Sequence, residues 1–148
     1  MIFFNCIIND QIVKAFLDTG ADITCISRKL FNKLKIDLKQ NSVINIRQLD
    51  NTTTSLGCVL VHLQIGKIQH TVKAHVIRNL NTDLLLGLDT SQLFNLKLNL
   101  NNNQLTQNDI LLNSNDCNFN NSFQSQQHEY QTDDQQSNQQ STSKSIQY

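Results

Sequence analysis

The sequence predicts an all-β domain with one or two short helices, followed by a disordered C-terminal tail. Three observations carry that expectation. Short runs rich in β-branched and aliphatic residues recur along the chain, several of them alternating, with Asn, Asp or Gly between them. Helical spacing of apolar residues appears only after Ser27 and, briefly, after Gly87. Beyond about residue 113, Asn, Gln and Ser dominate and the aliphatic residues nearly vanish. Such a composition buries too little apolar surface to offset the entropy of ordering. The boundaries drawn are 1–108 for the folded domain and 109–148 for the low-complexity tail.

Phe3 to Ile8 reads as a strand, Asn9-Asp10 as a tight turn, and Ile12 to Leu17 as the returning strand of a hairpin. Ile23 to Ile26 is a further short strand. Ser27 then caps a helix with Leu30, Phe31 and Leu34 on one face and Arg28, Lys29, Lys33 and Lys35 around the other. The basic residues read as its solvated face rather than a nucleic-acid patch. Ser42 to Gln48 alternates, Asp50 to Thr53 breaks the pattern, and Leu56 to Ile65 resumes it, which predicts a long hairpin with a polar tip. Gly66-Lys67 turns into a strand over Ile68 to Ile77. The continuous apolar run Leu84-Leu85-Leu86, ended by Gly87, suits a strand buried on both faces. Asp89 or Thr90 then caps a short helix through Phe94, and Leu96 to Leu105 forms a last hairpin around Asn101 to Asn103.

Composition removes several function classes. The 148 residues carry 12 basic and 12 acidic side chains, whereas a general binder of nucleic acid or anionic membrane shows a basic excess. Met-Ile-Phe-Phe is too short for a signal peptide, and no apolar run approaches the length of a bilayer span. The expectation is a soluble, intracellular, cytoplasmic protein. Cys6, Cys25, Cys58 and Cys117 form no Cys-x-x-Cys pair and read as thiols, the first three packed in strands. His70 and His75 fall on opposite faces of one strand, so no metal site or cofactor is expected. No nucleophile elbow and no phosphate-binding glycine loop is present.

The chemistry concentrates in Leu17-Asp18-Thr19-Gly20-Ala21-Asp22. An acid at the end of an apolar strand is costly unless its charge is used. Thr19 supplies a hydroxyl donor, and Gly20 has no side chain to keep another backbone away. The run resembles the active-site loop of the retroviral and retrotransposon aspartic proteases, the retropepsin-like family. Leu85-Leu86-Gly87 is similar to the apolar-apolar-Gly segment that packs behind that loop in the family. The two motifs stand in family order, with a flap-sized hairpin between them.

The resemblance implies a small closed β-barrel with a flap hairpin, one lobe per chain. It implies an aspartic endopeptidase, processing a retrotransposon-type polyprotein, in which Asp18 from each of two subunits forms a catalytic pair. Peptide hydrolysis without a metal or a covalent nucleophile needs one carboxylate to take a proton from water and a second, protonated, to donate to the carbonyl oxygen. One acid per chain therefore implies a homodimer. Thr19 would bond across the axis, and Gly20 would admit substrate and accept from its backbone. Ala21 would line a small pocket, and Asp22 would contact substrate backbone. Asp50 and Asn51, at the flap tip, would close over an extended polypeptide. Where viral members often carry an arginine after the buried glycine, this chain has Leu88. Leu88-Asp89-Thr90-Ser91 looks like a degenerate second loop. Ser91 replaces its glycine and no apolar hairpin leads into it, so Asp89 reads as structural. The competing expectation is an inactive dimerisation or peptide-binding module on the same fold, motivated by the glycine-free flap.

Overall fold

The structure is a computed structural model that describes residues 2–112; the Asn/Gln/Ser-rich segment from residue 113 lies outside the described residues. Asn9 and Asp10 both take positive φ (46° and 66°), the backbone of a two-residue hairpin turn whose twist matches its strands. They join β1 (Ile2–Ile8) to β2 (Gln11–Leu17), paired antiparallel from Ile2↔Leu17 to Ile8↔Gln11. β3 (Cys25–Ser27) leads directly into α1 (Arg28–Leu34), where the Ser27 hydroxyl accepts from the Leu30 N–H at 3.0 Å. Lys35, at φ 50°, ends the helix. Leu30 and Leu34 are buried while Arg28, Lys29 and Lys33 are exposed, as the amphipathic pattern requires.

The central hairpin differs from the expectation. β4 (Asn45–Arg47) and β5 (Thr52–Thr54) form a separate two-stranded sheet, and β6 (Cys58–Ile65) belongs to the barrel. The run from Leu56 to Ile65 is one strand from Cys58 onward, but it is not the returning arm of the hairpin, which is Thr52–Thr54. Gly57 precedes it at φ 140°, pressed so close to the Lys39 carbonyl that a Cβ would lie 2.6 Å from that oxygen. Only glycine accommodates both constraints. A short 3-10 turn at Gln40–Ser42, which no pattern announced, precedes the hairpin.

β7 (Ile68–Ile77) pairs antiparallel with β6 around Gly66, and β8 (Leu84–Leu86) runs parallel to β2 and antiparallel to β3. The barrel closes in the order β1-β2-β8-β3-β7-β6. Its interior is filled by Phe4, Ile8, Ile26, Val59, Val61, Leu63, Ile65, Val76, Leu84 and Leu86, all under 2% exposed. A mostly-β closed barrel with short helices is the fold class the sequence predicted.

α2 (Leu88–Leu93) follows at once, then β9 (Leu96–Asn99), β10 (Gln104–Gln107) and β11 (Ile110–Leu111), a three-stranded sheet in the order β11-β10-β9. β11 starts beyond the boundary drawn at residue 108, because Asn108 and Asp109 at positive φ fold it back onto β10. Leu112, donating its N–H to the Leu105 carbonyl at 3.0 Å, is buried. Among the described residues no helix is long and apolar enough to cross a membrane, and no cluster of three metal-ligating side chains is found. Cys6, Cys25 and Cys58 are all buried.

Candidate active site

Asp18 stands where β2 leaves the barrel. The Phe16↔Leu85 and Leu17↔Leu86 pairing carries the strand to its end, and the Asp18 N–H donates to the Leu86 carbonyl at 3.1 Å. The chain then turns back on itself: the Ala21 N–H donates to the Asp18 carbonyl at 3.2 Å, and the Gly20 N–H to the Asp18 carboxylate at 2.9 Å. This backbone donor restrains the carboxylate's rotamer. Asp18 is half-buried, whereas Thr19, Gly20 and Asp22 are exposed and Ala21 is half-buried.

The rest of the loop is clamped from behind by the chain's other end. The Leu88 N–H donates to the Ala21 carbonyl at 2.8 Å and the Asp89 N–H to the Asp22 carbonyl at 3.2 Å. Gly87 lies against Ile23 so closely that a Cβ would fall 2.4 Å from both the carbonyl carbon and oxygen of Ile23 and 2.7 Å from its nitrogen. Here glycine is needed for space and not for dihedral freedom, since its φ of −85° suits any residue.

Thr24 completes the clamp. Its hydroxyl accepts from the Gly87 N–H at 3.1 Å and donates to Asp89 Oδ1 at 2.7 Å, and its N–H donates to Asp89 Oδ2 at 3.2 Å. The Thr90 hydroxyl lies 2.7 Å from that of Thr24. Asp89 is thus a structural acid, though not a helix cap: α2 begins at Leu88 with Gly87 in the capping position. Sequence reasoning missed Thr24. Its signal was a hydroxyl residue inside an apolar strand, a position that needs a partner when buried.

A cleft of about 860 Å³ opens over the loop, lined on the loop side by Asp18, Gly20, Ala21, Asp22 and Ile23. Cys25, Ile77, Leu80 and Leu85 form a largely apolar wall, and the β4–β5 hairpin covers it with Ile44 to Leu49 and Thr53. The hairpin thus holds the place of a flap, but its cleft-lining residues differ from those expected. Asp50 and Asn51 do not line the cleft; Ile46, Arg47, Gln48 and Leu49 do. Within the four-residue reversal beyond the Arg47↔Thr52 pair, closed by the Gln48 N–H donating to the Asn51 carbonyl at 2.8 Å, the first two residues line the cleft and the last two do not. Thr19 and Leu86 do not line the cleft either, Leu86 because it is buried beneath the loop.

Residues 4–90 match the family described as gag-polyprotein putative aspartyl protease. Over 107 residues, 71% of this chain, the sequence is 34% identical to DNA damage-inducible protein 1 of Yarrowia lipolytica. It is 33% identical over the same length to the UBA domain-containing protein Mud1 of Schizosaccharomyces pombe. The chain spans 27% and 32% of those two proteins, so the likeness is to one part of each. Among solved structures, the retroviral protease-like domain of Ddi1 from Leishmania major superposes with a TM-score of 0.59 at 22% identity, covering 78% of this chain and 97% of that domain. The EIAV protease, solved with the inhibitor HBY-793, gives 0.58 at 22% identity over 66% of this chain and 91% of its own. At those identities the superpositions establish the fold, and the sequence match establishes the kinship. The chain belongs to the gag-polyprotein aspartyl protease family and carries a retropepsin-like aspartic protease domain.

Proposed function

We propose that this domain is an aspartic endopeptidase whose two catalytic carboxyls are the Asp18 side chains of two copies of the chain. The observation that carries the reading is a single half-buried carboxylate on a clamped turn, facing an 860 Å³ cleft with one apolar wall and a hairpin above it. Two carboxyls in contact resist ionising together; in the acidic range between their two macroscopic pKa values they share one proton and titrate as a pair, as is established for aspartic proteases generally. The ionised member takes a proton from water as the water attacks the peptide carbonyl, and the protonated member donates to the carbonyl oxygen.

The remaining roles follow from position. Thr19, exposed in the single chain, bonds across the two-fold axis to the partner loop. Gly20 and Asp22 meet the backbone of an extended peptide, and Ala21 bounds a small apolar subsite. Leu85, Leu86 and Gly87 hold the loop from behind. Ile46 to Leu49, rather than Asp50 and Asn51, form the flap surface over the substrate. The family's description supports a polyprotein of retrotransposon type as substrate. The domain is taken to reach at least Leu112, which is buried and bonded to the Leu105 carbonyl, and to work inside the cell.

Cleavage of an extended peptide library at mildly acidic pH, comparing wild type with Asp18→Asn, tests the proposal. Loss of a general base costs about 10²–10⁴-fold in rate; equal turnover by the two proteins would overturn it. One observation favours a second reading, an inactive peptide-binding module: no glycine occurs in the Gln48 to Asn51 reversal to ease flap opening. Peptide binding with no Asp18-dependent cleavage would select that reading.

A further inference from the structure

A row of four side chains crosses the barrel wall on the face away from the core: Leu85 on β8, Cys25 on β3, His75 on β7 and Cys58 on β6. The register aligns them as Leu85↔Cys25, Cys25↔His75 and His75↔Cys58. Leu85 and Cys25 line the cleft, while His75 and Cys58 are buried at 5% and 2% exposure. The His75 backbone is committed, its N–H donating to the Thr24 carbonyl at 3.0 Å. Its ring is not. Nδ1 is buried and without a hydrogen-bond partner, although a buried polar atom normally has one.

We propose that His75 is a positioning residue for the cleft: its neutral ring lets β3 close against β7 so that Cys25 forms the wall, and its protonation opens that seam. Every element packed on the ring bears on the charge. β3 offers Cys25 and β6 offers Cys58, both thiols that supply no counter-charge while protonated. On β7 itself Lys73 repels an imidazolium, and the segment before the 3-10 turn contributes Lys39, which meets Cys58 through its backbone. Only Asp89, on α2, attracts one, and its oxygens are already bonded to Thr24 and Thr90. An imidazolium placed here would therefore leave its buried Nδ1–H without a partner.

Burial, then Lys73, holds the His75 pKa below the ordinary imidazole value of 6.5, with Asp89 pulling weakly the other way. The sign of the linkage follows. A state in which the seam is open regains the ordinary value and binds the proton first. The closed seam is fully favoured above 6.5 and loses ground as pH falls below it. The cleft wall would then set an acid limit on this domain that owes nothing to the titration of Asp18.

The test reads the thiols and not proteolysis, so it stands apart from the endopeptidase proposal. The full chain is labelled with 4,4′-dithiodipyridine, which reacts in acid, from pH 7.5 down to 5, and the modified cysteines are mapped by peptide mass spectrometry. The labelling rate of Cys25 and Cys58, divided at each pH by that of the urea-unfolded chain so that the falling thiolate fraction cancels, is expected to rise below pH 6.5 by up to about tenfold per pH unit. His75→Gln and His75→Leu, neutral at every pH, are expected to flatten that rise, and two variants guard against one failing to fold. A flat wild-type profile, or an acid rise retained in a folded variant, would overturn the proposal.

Discussion

Gly87→Ala measures how tightly the Asp18 loop is clamped. The added Cβ would sit 2.4 Å from the Ile23 carbonyl carbon and oxygen and 2.7 Å from its nitrogen. All three are backbone atoms, so no rotamer change relieves the overlap. Either β3 moves off β8 or the loop moves off Gly87. Overpacking of this kind costs about 1–3 kcal/mol. The displacement also stretches three hydrogen bonds that cross the same contact: Gly87 N–H to Thr24 Oγ1 at 3.1 Å, Leu88 N–H to the Ala21 carbonyl at 2.8 Å and Asp89 N–H to the Asp22 carbonyl at 3.2 Å. Weakening each by half of a net value of about 1 kcal/mol adds about 1.5 kcal/mol. The expected loss is therefore about 2.5–4.5 kcal/mol, a large share of the 5–15 kcal/mol typical of a domain. Urea unfolding followed by circular dichroism reads it as a fall in midpoint at constant slope. Gly20→Ala is the control: its Cβ would meet only Asp18 Oδ1, at 3.3 Å, so a change within about 1 kcal/mol is expected. A Gly87→Ala protein within about 1 kcal/mol of wild type would refute the close approach, and with it the clamp.

Two further predictions rest on neighbouring atoms. Thr24→Val keeps the side chain's shape but strands the buried Gly87 N–H and removes one of the two donors to Asp89 Oδ1, for an expected loss of about 2–4 kcal/mol, while Thr24→Ser, which keeps the hydroxyl, loses under about 1.5 kcal/mol; denaturant midpoints of the pair decide it. Burial first, and Asp89 second, pushes the Cys25 thiol up from 9.0 to about 11. The unfolded chain releases this proton earlier, so stability is expected to fall by about 2–3 kcal/mol as pH rises from 9.0 to about 11. Cys25→Ala is expected to show a shallower alkaline loss in the same titration; an identical loss in both proteins would remove Cys25 as its source.

Those atoms also mark the limit of what the sequence discloses. Hairpins were legible because their determinants are local: Asn9-Asp10 sets one turn, Gly66 another, and alternation assigns the faces of β1, β6 and β7. The barrel and its short helices follow from such signals together with the resemblance. The flap was misjudged in extent because Gly57 serves two ends at once. Its positive φ is a local trait, but its contact with the Lys39 carbonyl depends on a segment eighteen positions earlier that has no periodicity to reveal it. The reversal at Asn108-Asp109 was hidden in a stretch whose Asn-rich composition looks like tail. Thr24 was missed for the same physical reason: its partners Asp89 and Gly87 lie more than sixty residues away, and hydrogen bonds at that separation leave no pattern in one sequence.

What the Thr24 cluster accomplishes bears on how a one-acid domain can work. Asp18 is fixed by Leu86 and Gly20, Ala21 and Asp22 by Leu88 and Asp89, and Ile23 by Gly87, all within one chain. The loop is therefore shaped before any partner arrives, by strands β2, β3 and β8 of a closed barrel. Ordering a loop on association would subtract from the binding free energy, and a preformed loop removes that cost. Under the proposed dimeric reading, a second copy would need to supply only contacts to groups still exposed here, Thr19 and Gly20 above all. The hairpin from Asn45 to Thr54 is a separate sheet and lies outside that scaffold, whereas β3 and its approach serve both sides, the loop through Thr24 and the cleft wall through Cys25. Under the proposed reading, a change in the hairpin would therefore alter the cleft with less effect on Asp18 than a change in β3.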